Sequence, residues 1–262
     1  MVDMTSRKLF VFDIDGTLLD EHKQLPESTR QAVKKLAENY EVAIATGRNR
    51  TMASEVIKEL AIENYIVCNG AAAYYKHDSI YTNSLNKDEL DRLITMADDN
   101  GHQMVYETVD ELRRRSSQPN ERMEKGMAHV GFPVPEQNHD YHEKYPLVQC
   151  LIFYSEEEAS LYEEGQFDHF RFVRWHETGV DVLPAGGSKF STIERLAKQL
   201  NISNDNIVAF GDGFNDLEMI ENAGTGVAMG NAEDDVKKVA DLVTASSSQN
   251  GIQLALEKLG YL

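Results

Sequence analysis

Cysteine is nearly absent from this sequence of 262 residues, which contains only two. Both of them, Cys68 and Cys150, lie inside apolar runs, where a free thiol behaves as a small hydrophobic side chain. Neither belongs to a CxxC string or to a cysteine–histidine pattern with the spacing of a zinc site. We therefore expect two buried, reduced thiols.

Basic residues are also scarce. The chain has 26 lysines and arginines against 44 aspartates and glutamates, which gives a formal net charge of −18. A field of that sign repels nucleic acids and anionic lipids and excludes a general phosphate-backbone binder. It leaves room for a small phosphorylated metabolite held at a local positive site, and it suits the recruitment of a divalent cation.

Long apolar stretches are missing as well. No run approaches the roughly 18 apolar residues of a membrane span, and no apolar segment of signal-peptide type precedes Asp13. We expect a cytoplasmic protein that does not interact with membranes. The hydrophobic fraction of 41% and the charged fraction of 27% are typical of a globular protein.

Short apolar runs alternate with amphipathic segments in the first part of the chain. Strands are predicted at residues 8–12, 41–45 and 65–68, and helices at 27–38 and 51–60. This β-α-β-α-β order indicates a parallel sheet with right-handed crossovers.

The same alternation returns at the far end. Ser188 is a suitable N-cap for a helix to about Leu200, and strands are predicted at 206–210 and 225–229. A last helix is predicted from about Gly251. The prediction is therefore an α/β fold with a Rossmann-like parallel sheet.

The middle of the chain has more charged and aromatic residues than either end. Strand-like runs occur at 103–107, 147–154, 170–175 and 179–183. Strands and helices mix here as they do in an α+β module. We therefore predict a core domain formed by residues 1–81 and 184–262, with an inserted α+β domain formed by residues 82–183.

The strongest local signal is the string Asp13-Ile14-Asp15-Gly16-Thr17, which directly follows a predicted strand. Ligands of open parallel sheets bind beyond the carboxyl ends of the strands, where both aspartates can turn toward one crevice. An isolated DxD string is more often a solvated loop. A calcium loop of the EF-hand type is excluded by the spacing, because the glycine comes too early.

A second acidic string, Gly211-Asp212-Gly213-Phe214-Asn215-Asp216, also follows a predicted strand. Together with Asp13 and Asp15 it would bring four carboxylates to one sheet edge, where they repel one another unless a cation is bound. Mg²⁺ is the natural candidate, because it takes oxygen ligands and keeps waters that a substrate phosphate can displace. The alternative is a glycine-rich turn with solvated acids.

Two further positions could hold a phosphate group. Thr46 follows the second predicted strand, and its hydroxyl with the amides of Gly47 and Arg48 could bind phosphate oxygens at a helix start. A simple turn is the alternative. Lys189 lies at the start of a helix, where the helix dipole disfavours a cation, so an anionic partner would explain it. A solvated surface lysine is the ordinary alternative.

Taken in order, the DxDGT string at Asp13, Thr46 after the second strand, Lys189 before a late helix and a GDxxND string resemble the four motifs of the haloacid dehalogenase-like (HAD) superfamily. The resemblance covers essentially the whole chain. The string Ala45–Arg48, the string Asn69-Gly70-Ala71 and the large insertion after the third strand are similar to Cof-type hydrolases with a class IIB cap domain.

The resemblance implies a Mg²⁺-dependent phosphatase. Asp13 would be the nucleophile that forms an aspartyl-phosphate, and Asp15 would protonate the leaving group and then deprotonate water. The implied metal ligands are the Asp13 carboxylate, the Asp15 main-chain carbonyl, Asp212 and Asp216, the last directly or through water. The implied phosphate-binding residues are Ile14, Thr46, Gly47, Arg48, Lys189 and Asn215.

The resemblance also implies that the inserted domain closes over the core, excludes water and contacts the leaving group. Its basic run Arg113–Arg115 is interpreted as a solvated charged turn, with contact to an anionic substrate as the alternative. We interpret His139 and His142 as surface residues. Tyr106 and Trp175 are interpreted as core residues, with stacking on a sugar or a base as the alternative.

No motif residue is missing, and the one departure is Phe190, a bulky ring where relatives usually carry a small residue. We expect it to pack beneath its helix. The leading hypothesis is hydrolysis of small phosphomonoesters, with sugar phosphates or cofactors such as pyridoxal phosphate or flavin mononucleotide implied by the family. A phosphomutase of the same superfamily and a non-catalytic sensor of a phosphorylated ligand are the alternatives.

Overall fold

The computed structural model describes residues 7–262, which divide into two compact units. One unit combines the residues up to 81 with residues 188–262, and the other is formed by residues 82–187. The first contains a large, mainly parallel sheet and the second a separate antiparallel sheet. The predicted α/β fold class with an α+β insertion is confirmed.

Seven elements precede the insertion or lead into it. They are β1 (Leu9–Phe12), α1 (Glu27–Ala37), β2 (Glu41–Ala45), α2 (Arg50–Leu60), β3 (Asn64–Val67), β4 (Ala72–Tyr75) and β5 (Asp78–Thr82). The first five match the predicted order. The hairpin of β4 and β5 was not predicted.

The insertion contains both helices and strands. Its elements are α3 (Lys87–Asp99), β6 (Gln103–Glu107), β7 (Leu112–Arg114), α4 (Glu121–His129), α5 (Tyr141–Lys144), β8 (Gln149–Phe153), β9 (Phe170–Arg174) and β10 (Gly179–Pro184). All four predicted strands are present, and β7 is additional.

The remaining elements return to the first unit. They are α6 (Lys189–Leu200), β11 (Ile207–Gly211), α7 (Leu217–Asn222), β12 (Thr225–Ala228), α8 (Asp234–Val239), β13 (Leu242–Val243) and α9 (Gly251–Lys258). The side chain of Ser188 caps α6 by accepting a hydrogen bond from the Ser191 amide, as predicted. Within residues 7–262, no helix combines the length and the apolar character needed to cross a bilayer.

The sheet of the first unit runs in the order β13-β12-β11-β1-β2-β3-β4-β5. The strands from β13 to β3 are parallel, and β4 pairs antiparallel with β3. Phe12 in β1 lies level with Ile44 in β2 and with Phe210 in β11. The segments that follow these three strands therefore emerge at one edge of the sheet, where ligands of open parallel sheets bind.

A hydrophobic layer of α6 and α7 residues covers one face of this sheet. Phe190, at the second position of α6, is 7% exposed and belongs to that layer. The expectation that its ring packs beneath the helix is confirmed. Cys68 and Cys150 are both buried free thiols, also as expected.

The sheet of the second unit runs in the order β7-β6-β8-β10-β9 and is antiparallel throughout. Alternate residues of β8 enter two different hydrophobic clusters, Cys150 and Ile152 in one and Leu151 and Phe153 in the other. The sheet is therefore covered on both faces. Tyr106 is fully buried in the first cluster, as expected of a core residue.

The basic run of this unit is not the solvated turn that was predicted. Arg114 lies in β7 and donates to the carbonyls of Ser116 and Pro135, while Arg115 forms two hydrogen bonds to Asp98 and one to the Tyr106 hydroxyl. Each guanidinium offers five donors, and here they satisfy carbonyl and carboxylate groups of the same unit. The run has a structural role.

His142, which was interpreted as a surface residue, is half-buried, and its ring lies 5.1 Å from that of Tyr106.

Asp181 in β10 gives this unit a testable pH dependence. Its carboxylate accepts a hydrogen bond of 2.8 Å from the Trp175 indole. Burial raises the pKa of Asp181 to about 7, although the Trp175 hydrogen bond and the charge of Arg171 lower it. Unfolded aspartates titrate near pH 3.9. The folded state therefore binds this proton more tightly than the unfolded chain does.

We expect the wild type to become less stable as the pH rises, because Asp181 loses its proton. In Asp181→Asn this contribution to the pH dependence should be absent. The stabilisation due to the Asp181 proton is fully present below about pH 4 and is lost as the pH rises to about 7. Thermal unfolding midpoints at pH 5 and pH 7.5 measure the difference, with Asp168→Asn, an exposed aspartate of the same unit, as control. Equal pH slopes for the wild type and Asp181→Asn would contradict this assignment.

Candidate active site

A buried lysine joins two aspartates at the carboxyl edge of the parallel sheet. The Nζ of Lys189 lies 2.7 Å from Oδ1 of Asp13 and 2.6 Å from Oδ1 of Asp216. Lys189 is 2% exposed, Asp13 5% and Asp216 1%. An ammonium in so dry a position requires anionic partners, and the two carboxylates supply them. They also raise the pKa of Lys189 against the opposite effect of burial.

The turn after β11 is organised around Asp216. Its Oδ2 accepts hydrogen bonds of 3.0 Å from the amides of Asp212 and Gly213, while its Oδ1 contacts Lys189. Both oxygens of Asp216 are therefore engaged in fixing the turn and the lysine. This arrangement favours support of a metal through Asp212 and Asp13 over direct ligation by Asp216.

Asp212 is directed toward the loop that follows β1. Its Oδ1 accepts a hydrogen bond of 3.1 Å from the hydroxyl of Thr17. Gly16 has a φ of 77°, and a Cβ at this position would collide with the Asp212 carboxylate. Glycine is thus required here twice, for its backbone conformation and for the close approach of the two segments.

Asp13, Asp212 and Asp216 form a cluster with the donor set of a hard cation. One carboxylate oxygen from each lies within 4.8 Å of the others, and no other such group of three occurs within residues 7–262. Burial, followed by the charge of Asp216, raises the pKa of Asp13 well above its ordinary value. The same two causes raise the pKa of Asp212 to about 7. Lys189 pairs with only two of these three carboxylates, so a bound divalent cation would relieve the remaining repulsion, and the residues fit Mg²⁺.

Asp15 lies between two other cations. Arg48 donates from Nε and Nη2 to its two oxygens at 2.8 and 2.7 Å, and Nζ of Lys23 lies 2.7 Å from Oδ1. Burial alone would raise the pKa of Asp15, but the hydrogen bonds and charges of Arg48 and Lys23 lower it. Arg48 was predicted to bind phosphate, and in this structure its guanidinium binds Asp15.

Thr46 and Asn215 are connected through Asn69. The carbonyl of Thr46 accepts from the Asn69 amide at 3.0 Å, and the side chain of Asn215 donates to Oδ1 of Asn69 at 3.1 Å. The Thr46 hydroxyl, which is buried, accepts from the Arg48 amide at 3.1 Å. Asn69 thus joins two segments that were each predicted to contact phosphate.

Contacts therefore divide the predicted site residues into three groups. In the first group Lys189 contacts Asp13 and Asp216. In the second Arg48 pairs with Asp15. In the third Asn69 connects Thr46 with Asn215. Ile14 is fully buried between the two aspartates of its motif, and Gly47 packs beside the Asn69 side chain.

Lys23 and Asn231 contact this site and belong to none of the motif strings from which it was predicted. Lys23 follows a tight turn after the first motif, and its own φ is 58°; its sequence context carried no signal of a site. Asn231 donates hydrogen bonds to the Gly16 carbonyl and to Asp212. It follows β12, the strand beside β11, so the rule that placed Asp212 at the sheet edge could also have identified Asn231.

The chain is similar to known hydrolases along nearly its whole length. The sequence profile of the haloacid dehalogenase-like hydrolases matches residues 10–256. YkrA of Bacillus subtilis (strain 168) is 38% identical over 256 residues, which are 97% of this chain and 98% of YkrA. The pyridoxal phosphate phosphatase YbhA of Escherichia coli (strain K12) is 30% identical, over 95% of this chain and 97% of YbhA.

A solved structure supports membership of the same protein family. The HAD subclass IIB sugar phosphatase BT4131 is 29% identical to this chain and superposes with a TM-score of 0.84, covering 97% of this chain and 100% of that one. The similarity extends over both units of the chain. It supports the expected likeness to phosphatases with a class IIB cap.

Proposed function

The chain belongs to the haloacid dehalogenase-like hydrolases and is a phosphatase of that family, and we propose that it hydrolyses small phosphomonoesters through an aspartyl-phosphate on Asp13. The observation that carries this proposal is the buried contact of Asp13 with Lys189 beside Asp212 and Asp216. A nucleophile, a fixed positive charge and a set of oxygen ligands lie together at the sheet edge that binds ligands in this class of fold.

The first half-reaction transfers the phosphoryl group to the protein. A carboxylate oxygen of Asp13 attacks phosphorus, and the bond between phosphorus and the leaving-group oxygen breaks as the new bond forms. Charge is spread over the equatorial phosphoryl oxygens in the transition state, so fixed positive charge lowers the barrier. Lys189 supplies that charge from a position held by Asp216.

The second half-reaction returns Asp13 to its starting state. Water attacks phosphorus and gives a proton to Asp15, the bond between phosphorus and the Asp13 oxygen breaks, and inorganic phosphate leaves with Asp15 in its protonated form. The ionised Asp15 that Arg48 and Lys23 stabilise is the form required for this step. In the first half-reaction Asp15 must instead be protonated, because it supplies a proton to the leaving-group oxygen. A substrate phosphate would compete with Asp15 for the Arg48 guanidinium and so weaken the interaction that keeps Asp15 ionised.

Magnesium is the cofactor that we propose for this site. It would be held by Asp13, Asp212 and the Asp15 main-chain carbonyl, with Asp216 behind them. When bound, it neutralises charge on the phosphoryl oxygens and favours the ionised form of Asp13. Thr46 and Asn215, with the Gly47 amide, would complete the phosphate-binding surface.

A small phosphorylated metabolite is the proposed substrate. The net charge of −18 disfavours polyanionic partners such as nucleic acids, while the cationic residues of the site act locally. The substrates named for YbhA and BT4131 are a phosphorylated cofactor and sugar phosphates respectively, and both classes are candidates. We further propose that residues 82–187 determine which of these substrates the protein selects.

A panel of phosphorylated metabolites tests the proposal. Sugar phosphates, pyridoxal phosphate and flavin mononucleotide are incubated with the protein in Mg²⁺, and released inorganic phosphate is measured. We expect at least one ester to be hydrolysed, with activity lost in excess chelator and restored by added Mg²⁺. Activity that persists after full removal of divalent cations would contradict the metal assignment.

The same assay separates hydrolysis from phosphoryl transfer between positions of a sugar. A phosphatase releases one inorganic phosphate for each ester consumed, whereas a phosphomutase converts the ester and releases almost none. Binding of an ester without any conversion would instead indicate the sensor hypothesis.

A further inference from the structure

We propose that Asn231 is a positioning residue, whose side-chain amide holds the Asp212 carboxylate in the orientation that binds the cation and fixes it to the Gly16 carbonyl of the neighbouring loop. The inference rests on the proposed function, since it concerns the same metal site. Asn231 belongs to none of the four motifs on which the resemblance rests.

The amide group of Asn231 connects three segments of the first unit. Its Nδ2 donates to the Gly16 carbonyl at 2.8 Å and to Oδ2 of Asp212 at 3.2 Å. Its Oδ1 accepts from the Ser247 amide at 3.0 Å. A side-chain amide has two N–H groups, and both are used here on the two segments that carry the proposed metal ligands.

The backbone around Asn231 is fixed independently of its side chain. The Met229 amide donates to the Gly211 carbonyl at 3.0 Å, the Gly230 amide to Ala245 at 3.0 Å, and the Glu233 amide to the Asp212 carbonyl at 2.9 Å. The turn is thus tied to β11 on one side and to the segment before α9 on the other. Asn231 is therefore held in place before any ligand arrives.

Two donors fix the rotation of the Asp212 carboxylate. Thr17 donates a hydrogen bond to Oδ1 of Asp212, and Asn231 donates one to Oδ2. Loss of the Asn231 donor would free the carboxylate to rotate and would leave the Gly16 carbonyl without this partner. Partners that orient metal ligands commonly change metal affinity by about 10- to 100-fold when they are removed.

Asn231 is itself exposed to solvent, so its side chain adds little to the hydrophobic core. Removing it should therefore change cation binding much more than it changes folding. This separation distinguishes a positioning role from a structural one.

The test uses the whole chain and Mn²⁺, a paramagnetic substitute for Mg²⁺ that can be titrated by electron paramagnetic resonance without substrate. We expect Asn231→Ala to weaken Mn²⁺ binding by about 10-fold or more. The matched control is Asn222→Ala, because Asn222 is an exposed asparagine of the same unit whose amide donates to a helix carbonyl, that of Glu218, at 2.9 Å. Turnover of Asn231→Ala should recover as Mg²⁺ is raised, while the KM for substrate at saturating Mg²⁺ stays near the wild-type value.

Equal Mn²⁺ affinities for Asn231→Ala and the wild type would overturn the proposal. So would weaker binding accompanied by a fall in the metal-free thermal midpoint well beyond that of Asn222→Ala, since the role would then be structural. Asp212→Asn is measured in parallel. If the wild type binds no Mn²⁺, the proposed metal site is wrong, and the inference about Asn231 fails with it. If the wild type binds Mn²⁺ and Asp212→Asn does not, the metal site is supported, and the Mn²⁺ affinity of Asn231→Ala decides the role of Asn231.

Discussion

Asp13→Asn is expected to lower phosphatase turnover by roughly 10⁴- to 10⁶-fold, the scale on which enzymes lose activity when a central catalytic group is removed. The amide has nearly the same shape as the carboxylate but cannot attack phosphorus. Lys189 keeps its second partner, Asp216, at 2.6 Å, so its ammonium remains paired. The loss should therefore arise from chemistry and not from collapse of the site.

Stability measurements separate these two explanations. Burial and the charge of Asp216 disfavour the ionised form of Asp13, as its raised pKa shows. A neutral side chain at this position should leave the metal-free protein at least as stable as the wild type. Asp78→Asn, at an exposed position in β5, is a control for the substitution itself. Wild-type turnover in Asp13→Asn would show that the nucleophile is a different residue.

A covalent intermediate gives a second measurement on the same variant. Wild-type protein quenched in acid during turnover should carry the mass of one phosphoryl group on the peptide that contains Asp13. The peptide from Asp13→Asn should carry none. A phosphorylated peptide elsewhere in the chain would relocate the attack.

Lys189→Met is expected to affect both stability and catalysis. Methionine fills a similar volume but leaves Asp13 and Asp216 buried without their cation. Removing one partner of a buried ion pair typically costs about 3–5 kcal/mol in the free energy of unfolding. Turnover should fall by at least about 10²- to 10³-fold, because a preorganised charge that stabilises the transition state is lost.

Denaturant unfolding with and without Mg²⁺ measures this effect. Added Mg²⁺ should recover part of the lost stability, because a cation bound to Asp13 and Asp212 reduces the same repulsion. Lys198→Met is the matched control, since Lys198 is an exposed lysine of the same helix. A Lys189→Met protein as stable as this control would show that the ion pairs add nothing to the fold.

The parallel core of the fold was predictable because its strands are continuous apolar runs that are buried along their whole length, as in β1 and β11. The hairpin of β4 and β5 was not. Its turn residues, Lys76 and His77, both have positive φ, where glycine or asparagine is the usual signal. β5 is also largely exposed and lacks an apolar face.

The candidate site divides in the same way. The acidic strings could be placed at one sheet edge from strand order alone, because chain direction fixes where parallel strands end. The sequence did not show that Lys189 is buried between two aspartates or that Arg48 pairs with Asp15, since such contacts depend on packing between distant segments. Arg115 is a further example. Its sequence context indicates a solvated charge, but its contacts with Asp98 and Tyr106 give it a structural role.

The pairing of β1 with β11 has a consequence for how the molecule is made. Leu9 lies beside Ile207 in the sheet. The central strand β1 therefore cannot pair with β11 until most of the chain has been synthesised. Residues 82–187 form one continuous segment and need no partner from outside it for their own sheet. If that segment folds first, a compact body replaces a long flexible loop, and the entropy lost on bringing Leu9 to Ile207 is smaller. Contacts between residues so distant in sequence form slowly. The order of synthesis therefore makes the site that joins Asp13 to Lys189 and Asp212 one of the last parts of the molecule to assemble.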